Sequence, residues 1–540
     1  MKRGWPYLLV VCGLVIGAYA YLSQSGLLEL LSPSRADTYY NLLVRGFRAG
    51  HLSLDKEVPP GLTQLSDPYD PAANATYRLL PYRFHDLSYY HGRLYLYHGV
   101  TPAVMLFWPF VALTGRYLWH REAVAIFCAV GFLTNAGLLY ALWRRYFGDV
   151  SIWVVETCIL ALGLATGVPV VLSQADVYQV PICCGYMLAM VTLAAMWSAL
   201  HEPKRCGRWL VVASLAYGLA VGARPSLVLG AVILLVPVAR ALVERRRIWI
   251  LLVAAATPML VIGLGVMIYN ARRFGSPFEF GVSYLLSGDR PSGSVEDFHA
   301  SYLLFNLRMY FLKSVGWSAR FPFVQRMAAP LPPAGHGNVE APLGVLANMP
   351  FVWLALAAPL ACLHRTADAS AALRWFLAAV TLFFGIEALT IGMFYYTSVR
   401  YEVEFVPALV LLAATGVLGL ERALADRTVL RFVVRGAWGA LLVFSVAFNL
   451  LSSVEYHAEA HHIAGVTFFQ AGNVSEAIQE YKQALRLYPN YAKAHLNLGI
   501  ALAQMGRTQE AIEQYEMALR INPDYAKARD ALARLKAKQP

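Results

Sequence analysis

A carboxylate placed just past the edge of an apolar segment is a candidate proton acceptor. Asp37, in the stretch SPSRADTYYNLLVRGFRAGHLSLD at 32–55, occupies such a place a turn or two beyond the first apolar run. There it can take the proton of an attacking hydroxyl that arrives from water. The structural alternative is that Asp37 caps the helix beginning at Thr38. Guanidinium groups at a membrane edge offer complementary chemistry, because their fork of donors clamps phosphate oxygens. Arg400 in YTSVRYE is the first candidate and Arg224 in GARPS the second. Arg400 can equally snorkel, or pair with Glu402 or Glu404. Arg272 and Arg273 are weaker candidates, since a basic pair at a span edge is often only an interfacial anchor. In the loop after Asp37, Asp86 in FHDLSYY and His98 in LYHG can position an acceptor. Their plainer readings are a local turn bond and an interfacial placement. Glu387 lies inside an apolar run, where a carboxylate needs a buried partner or a function.

These groups must be held by membrane-spanning helices. Of 540 residues, 58% are hydrophobic and only 14% charged, against roughly 25% charged in an ordinary soluble chain. The chain reads as a polytopic membrane protein. Its net charge of +12 sits in short Lys/Arg runs between apolar segments, where it sets orientation and argues against a nucleic-acid partner. The seven cysteines offer no CxxC, no zinc spacing and no pair in the long polar loops. The start, MKRGWPYLLVVCGLVIGAYAYL, reads as an uncleaved anchor in preference to a signal peptide cleaved near Ala18-Tyr19-Ala20, and Lys2 and Arg3 hold its tip in the cytoplasm.

At about 20 residues per crossing, further apolar stretches near 121–143, 151–172, 177–199, 209–223, 226–243, 248–269, 343–363, 374–396, 401–420 and 436–453 bring the total to about eleven spans. An odd count from a cytoplasmic N-terminus places the C-terminus outside. The short stretch 99–115, with Pro102 and Pro109, is read as interfacial or re-entrant. With that reading, the basic loops WRRYFG, HEPKRCGR, RALVERRR and Arg422 to Arg435 all face the cytoplasm. The long loops 23–120 and 270–342 then face outward, together with the tight SQADVY, GARPS and YTSVRYE connections.

The C-terminal sequence is of another kind. Gly465, Ala477, Tyr481, Ala484 and Pro489 recur as Gly499, Ala511, Tyr515, Ala518 and Pro523. The period of about 34 residues is the tetratricopeptide spacing. Small residues let the paired helices touch, Tyr fills the gap between neighbours, and Pro ends the second helix. The expected division is a membrane domain at 1–455, repeats at 458–491 and 492–525, and a charged capping helix and tail at 526–540. Two repeats fall below the roughly three needed to stand alone, so the array is expected to lean on the membrane domain or on another copy. The fold class is all-α: a polytopic helical bundle followed by a short α-solenoid that presents a docking surface for a protein partner.

The first loop with its Asp, YYHGRLYLYHGVTPAVMLFWPFVALTG, NARRFGSPFEFGVSYLL and SVRYEVEFVPALVLLAATG together resemble the membrane glycosyltransferases of the GT-C fold. Within that group they look like a bacterial branch that includes protein mannosyltransferase and aminoarabinose transferase-like enzymes, and the likeness covers most of 1–455. The resemblance implies transfer of a sugar from a polyprenyl-phosphate lipid to an acceptor hydroxyl at the outer face of the bacterial inner membrane. It implies Asp37 as base, inversion by single displacement, and an Arg400–Tyr401 pair that recognises the donor. Some relatives place a metal-binding acidic motif where SQADVY stands. This chain has one acid there, Asp176, and no DxD, so a divalent cation such as magnesium or manganese is left open beside a plain polar turn. The repeats would recruit or present a protein or glycan acceptor, an arrangement similar to eukaryotic transmembrane O-mannosyltransferases.

Two other readings compete. One is a non-catalytic scaffold that uses the repeats to assemble envelope complexes. The other is an O-antigen ligase or polymerase type of enzyme, for which the 270–342 loop offers Arg290, Arg308, His299 and His336. A transporter is disfavoured by the lack of an inverted hydropathy repeat and of paired broken spans.

Overall fold

A computed structural model of the chain describes residues 5–24, 34–78, 82, 84, 86–288, 297–325, 327, 329–340, 342–363 and 367–537. Among them, eight helices are long and apolar enough to cross a membrane: His120–Tyr146, Gln179–His201, Pro203–Ala223, Pro225–Val243, Trp249–Phe274, Ser370–Gly392, Val406–Ala423 and Thr428–Gln470. The other expected segments form shorter apolar helices, Tyr7–Leu22, Ile152–Leu164 and Pro350–Cys362. Tight winding offsets the shortness of the last. Pro350–Cys362 is a 3-10 helix of 13 residues, and at ~2.0 Å per residue it reaches about 26 Å, close to the ~30 Å of hydrocarbon. Similar winding over Pro225–Leu235 stretches the span that begins after Arg224.

The Pro-containing segment forms a short helix over Ala103–Thr114, with a π turn at Ala103–Phe107 just ahead of Pro109, whose missing N–H breaks the regular ladder. It extends less than about 20 Å, too short to cross. It packs on the amphipathic helix Tyr39–Arg48, where Tyr40 stacks on Phe107 at 5.1 Å and Phe47 meets Trp108 at 5.7 Å.

The basic loops gather at one end of the bundle. Arg422 Nη1 donates to the Tyr146 carbonyl at 3.0 Å, Tyr146 Oη lies 2.7 Å from His201 Nε2, and Arg246 Nη2 donates to the Pro203 carbonyl at 3.1 Å. Buried Glu421 accepts from Arg431 Nε at 2.9 Å and Arg435 Nη2 at 2.6 Å, which ties the last two spans together. The long loops meet each other at the opposite end. Ser88–Tyr90 pairs antiparallel with Arg93–Tyr95, Ser88 bridges to Leu285, and the Asp86 N–H donates to the Leu286 carbonyl at 3.1 Å. Val339–Glu340 pairs in parallel with Thr397–Ser398.

The last span and the first repeat are one object. Thr428–Gln470 is a single helix of 43 residues, so the boundary drawn between 455 and 458 falls inside continuous backbone. Val474–Leu487, Ala492–Gln504, Thr508–Ile521 and Ala526–Lys536 complete the array. Ala477, Ala484, Ala511 and Ala518 are fully buried beside Tyr481 and Tyr515. A Cβ on Gly465 would sit 2.6 Å from the Tyr481 ring, so only glycine allows that contact. A further contact recurs between the repeats: His461 Nδ1 lies 2.7 Å from Glu480 Oε2, and one period later His495 Nδ1 lies 2.8 Å from Gln514 Oε1. The array leans on the long 270–342 loop, as Tyr488, Asn490 and Ile521 share a cavity with Ser318, Ala319, Arg320 and Gln325.

A Cβ on Gly499 would fall 2.5 Å from Tyr515 Cε1, and overpacking of this kind costs about 1–3 kcal/mol. In the full-length protein, Gly499→Val is expected to open residues 492–537 to protease while the membrane helices stay resistant. An unchanged digestion pattern would contradict that packing.

Candidate functional site

The loop end of the bundle concentrates arginine, tyrosine and carboxylate. Arg224 sits in the turn between two spans, directly under the loop that carries Tyr97 and His98. A Cβ on Gly99 would run into the carbonyl oxygens of Gly222, at 2.5 Å, and Ala223, so the absence of a side chain permits this approach. Arg224 Nε donates to Glu404 Oε1 at 2.7 Å, and Ser226 Oγ donates to Glu404 Oε2 at 3.1 Å. The Glu404 side chain is fully buried. The Arg224 guanidinium lies 5.0 Å from the Tyr401 ring, and that of Arg400 lies 5.5 Å from the same ring. Arg400 also faces Tyr178 at 5.2 Å and Tyr396 at 5.9 Å. Such cation–π contacts hold a cation in place without neutralising it.

Arg400 draws its carboxylate from far away in the chain. Its Nη2 lies 3.5 Å from Glu340 Oε2, while Tyr396 Oη and Ser398 Oγ donate to the same carboxylate at 2.7 and 2.6 Å. The expectation of a Glu402 or Glu404 partner is therefore corrected. Residues Val399–Glu404 form a 3-10 turn, in which positions two and four apart point about 120° from each other. Glu404 turns to Arg224, and Glu402 accepts the Leu343 N–H at 2.8 Å. Burial works against the charge of Arg400, but Tyr401, Glu340 and Tyr396 outweigh it and hold the guanidinium firmly protonated.

Asp86 and His98 join this cluster through Tyr178. Asp86 has a left-handed backbone, φ 55°, and its Oδ2 accepts from Tyr178 Oη at 2.6 Å, a contact across 92 residues. The His98 ring meets the edge of Tyr178 at 5.4 Å and lies 4.0 Å from Tyr97. Burial, then Arg224 and Arg400, keep its pKa well below the usual histidine range, so it enters the cluster as a neutral imidazole. It is part of a packed polar network, where an interfacial placement had been the plainer reading.

Asp37 lies three residues before Tyr40, whose hydroxyl donates to the Gly99 carbonyl at 3.1 Å next to His98. It ends a short 3-10 turn, Arg35–Asp37, and Thr38, not Asp37, takes the N-cap position of Tyr39–Arg48. Its Oδ2 accepts from Ser34 Oγ at 2.6 Å and its Oδ1 lies 3.5 Å from Arg45. With 42% of its side chain exposed, it is open to a solute from water. The turn is pinned by Arg35 to Glu122 at 3.1 Å and by Asn41 Nδ2 to the Leu118 carbonyl at 2.7 Å.

Asp176 behaves as a polar turn. Its Oδ1 accepts the Val177 N–H at 2.7 Å and its own N–H donates to Gln179 Oε1 at 3.2 Å. Among the described residues no three His, Cys, Asp or Glu side chains converge in the manner of a protein-held metal site. Arg273, a weaker phosphate candidate with an interfacial anchor as its plain alternative, takes neither exposed position. It is buried, donates to the Leu96 carbonyl and Asn270 Oδ1 at 2.7 Å each, and lies 4.1 Å from the Tyr269 ring, so it positions the strand just before Tyr97. Glu387 has its buried neighbour, Tyr217 Oη at 3.0 Å. His299 caps the helix Ala300–Leu307, His336 Nε2 lies 3.0 Å from Asn306 Oδ1 and Thr397 Oγ1, and Arg290 lies outside the described residues.

Glu340, Tyr178 and Tyr396 were not singled out in the sequence. Tyr178 and Glu340 reach Arg400 from distant parts of the chain, so nothing local signals that pairing, whereas Tyr396 stands four residues before Arg400 in the same connection.

Residues 464–526 match the family model described as tetratricopeptide repeat. A comparison with curated proteins gives no match. Among solved structures the chain is similar to ArnT from Cupriavidus metallidurans bound to undecaprenyl phosphate, with 14% identity over 98% of this chain and 77% of that one, at a TM-score of 0.45. It is similar to the same protein in the apo state, with 18% identity over 98% and 78% of the two chains, also at 0.45. At these scores the likeness carries no residue-level correspondence. The C-terminal segment is thus a tetratricopeptide array.

Removing Glu404 would leave Arg224 buried without its partner, a loss of about 3–5 kcal/mol. Glu404→Gln is therefore expected to lower the melting temperature of the detergent-solubilised protein clearly more than Glu340→Gln, whose carboxylate is 39% exposed. Equal melting shifts would show that the two pairs do not differ in burial cost.

Proposed function

We propose that the chain is an integral membrane glycosyltransferase that moves a sugar from a polyprenyl-phosphate donor to an acceptor hydroxyl at the outer face of the membrane. The observation that carries this reading is the pair Arg224 and Arg400, two shielded guanidinium groups on one Tyr401 ring. A cationic pair at a membrane edge suits a phosphate that a lipid tail confines to headgroup depth. The GT-C resemblance of the loop motifs points the same way.

The chemistry divides among the residues by position. The donor phosphate would engage Arg400, drawing it from its long contact with Glu340, while Arg224 adds charge from a fixed place beside Glu404. Asp37 accepts the proton of the acceptor hydroxyl as that oxygen bonds to the anomeric carbon. The bond from the anomeric carbon to the phosphate oxygen breaks, its electrons leave with the lipid phosphate, and the two arginines stabilise the added negative charge. One displacement inverts the anomeric centre. The repeats, rigidly continuous with the last span, recruit the protein or glycan acceptor to this end. Orientation follows the positive-inside rule: the basic-loop end is cytoplasmic, the site and repeats extracytoplasmic.

A second assignment of the base has its own observation, since Asp86 lies in the cluster itself, bonded to the Tyr178 that faces Arg400. Labelled sugar transfer in membranes separates the two. Asp37→Asn is expected to reduce transfer by about 10²–10⁴-fold, the usual weight of a general base, with correct insertion and an unchanged melting temperature. Asp86→Asn is expected to reduce it by less. The reverse ranking would move the base to Asp86. Absence of transfer by the native chain across several polyprenyl-phosphate sugars would instead favour the scaffold reading.

A further inference from the structure

The repeats stand at a specific height above the bilayer. Thr428–Gln470 leaves the apolar core near Ser453, where Ser452, Ser453, Glu455 and His457 replace aliphatic residues. The helix then rises to Gln470, and Val474–Leu487 returns antiparallel over a similar length. Its end at Leu487, and by repetition the end of Thr508–Ile521, therefore come back to the level at which the helix left the membrane. Each of these second helices has an arginine in its last turn, Arg486 and Arg520.

A hairpin of the outward loop fills the space beneath. Gly316–Trp317 pairs with Val324–Gln325, and the Trp317 ring lies 5.4 Å from that of Phe444 on the long helix. Phe444 is nine residues before Ser453, about 14 Å deeper at the α-helical rise. The hairpin thus reaches from the apolar depth up to the repeats, and it exposes Trp317, Phe321 and Phe323. Aromatic side chains with basic neighbours are the composition of a membrane–water boundary.

Between hairpin and repeats is a cavity of about 250 Å³, lined by Ser318, Ala319, Arg320, Gln325, Tyr488, Asn490 and Ile521. The side chains of Arg320, Gln325 and Asn490 make no hydrogen bond or ion pair among the described residues. Donors from the membrane loop and from the repeats thus converge on one space at headgroup height.

We propose that this cavity binds the phosphate of an anionic phospholipid headgroup, with Arg320 as its cation, Gln325 and Asn490 as neutral donors, and the hairpin aromatics inserted beside it. A lipid so held would brace the two-repeat array against the membrane and supply contact area that two repeats lack. The site is separate from Arg224 and Arg400, and the inference holds whether or not sugar transfer occurs.

The test uses full-length protein in nanodiscs with a benzoylphenylalanine photo-crosslinker at Phe323 or, as a distant control, at Met505 in the opposite turn of the array. Radiolabelled phosphatidylglycerol is expected to crosslink at 323 and not at 505. Arg320→Ala should lower the yield about fivefold, the factor that one basic residue contributes near an anionic surface, and Arg320→Lys should retain it. Protease resistance of the repeats in each variant checks that they remain folded. Equal lipid yield at 323 and 505, or equal yield with and without Arg320, would overturn the proposal. So would unchanged yield with phosphatidylcholine in place of phosphatidylglycerol, or displacement of the lipid by an Asp/Ser decapeptide, which would mark a protein-docking site.

Discussion

Charge at the edge of an apolar medium is costly unless it is paired, and the loop end of this protein is organised around that constraint. Arg224 and Arg400 approach one tyrosine from two parts of the chain, and each needs a carboxylate. Glu404 serves the first from the late connection, and Glu340 serves the second from the long loop. These two pairs join the turn after Ala223, the loop strand at 339–340 and the 397–404 segment. The site and the closure of the loops over the bundle are therefore one structure.

The two carboxylates are not equivalent. Glu404 is fully buried and bonded on both oxygens, so Arg224 is fixed. Glu340 is more exposed and holds Arg400 at the longer distance of 3.5 Å, with its better bonds going to Tyr396 and Ser398. A phosphate can replace that long contact more readily than the 2.7 Å one. The asymmetry leaves Arg224 more tightly paired than Arg400.

Much of this organisation was legible in the sequence, for identifiable reasons. A 34-residue period repeats small residues and a tyrosine at fixed offsets, and Gly465 and Gly499 lie against Tyr481 and Tyr515 as that period requires. Asp37, Arg224 and Arg400 announced themselves as charges at the edges of apolar runs. What could not be read was pairing. Glu340 is 60 residues before Arg400 in a loop without periodicity, and Arg273 looked like an anchor because its partner is a backbone carbonyl, which leaves no trace in sequence. Helix winding was equally hidden, since residue type does not announce a 13-residue 3-10 helix. The continuity of the 43-residue helix through the domain boundary was masked by the change from apolar to polar composition at constant backbone geometry.

The most direct measurement of the central claim is equilibrium binding of undecaprenyl phosphate to the full-length protein in nanodiscs, comparing the native chain with Arg400→Gln at matched thermal stability. A charge-assisted contact to phosphate is worth about 1.5–3 kcal/mol, so affinity is expected to fall by about tenfold or more. Equal affinity in the two proteins would contradict the account and remove the arginine pair as the phosphate site.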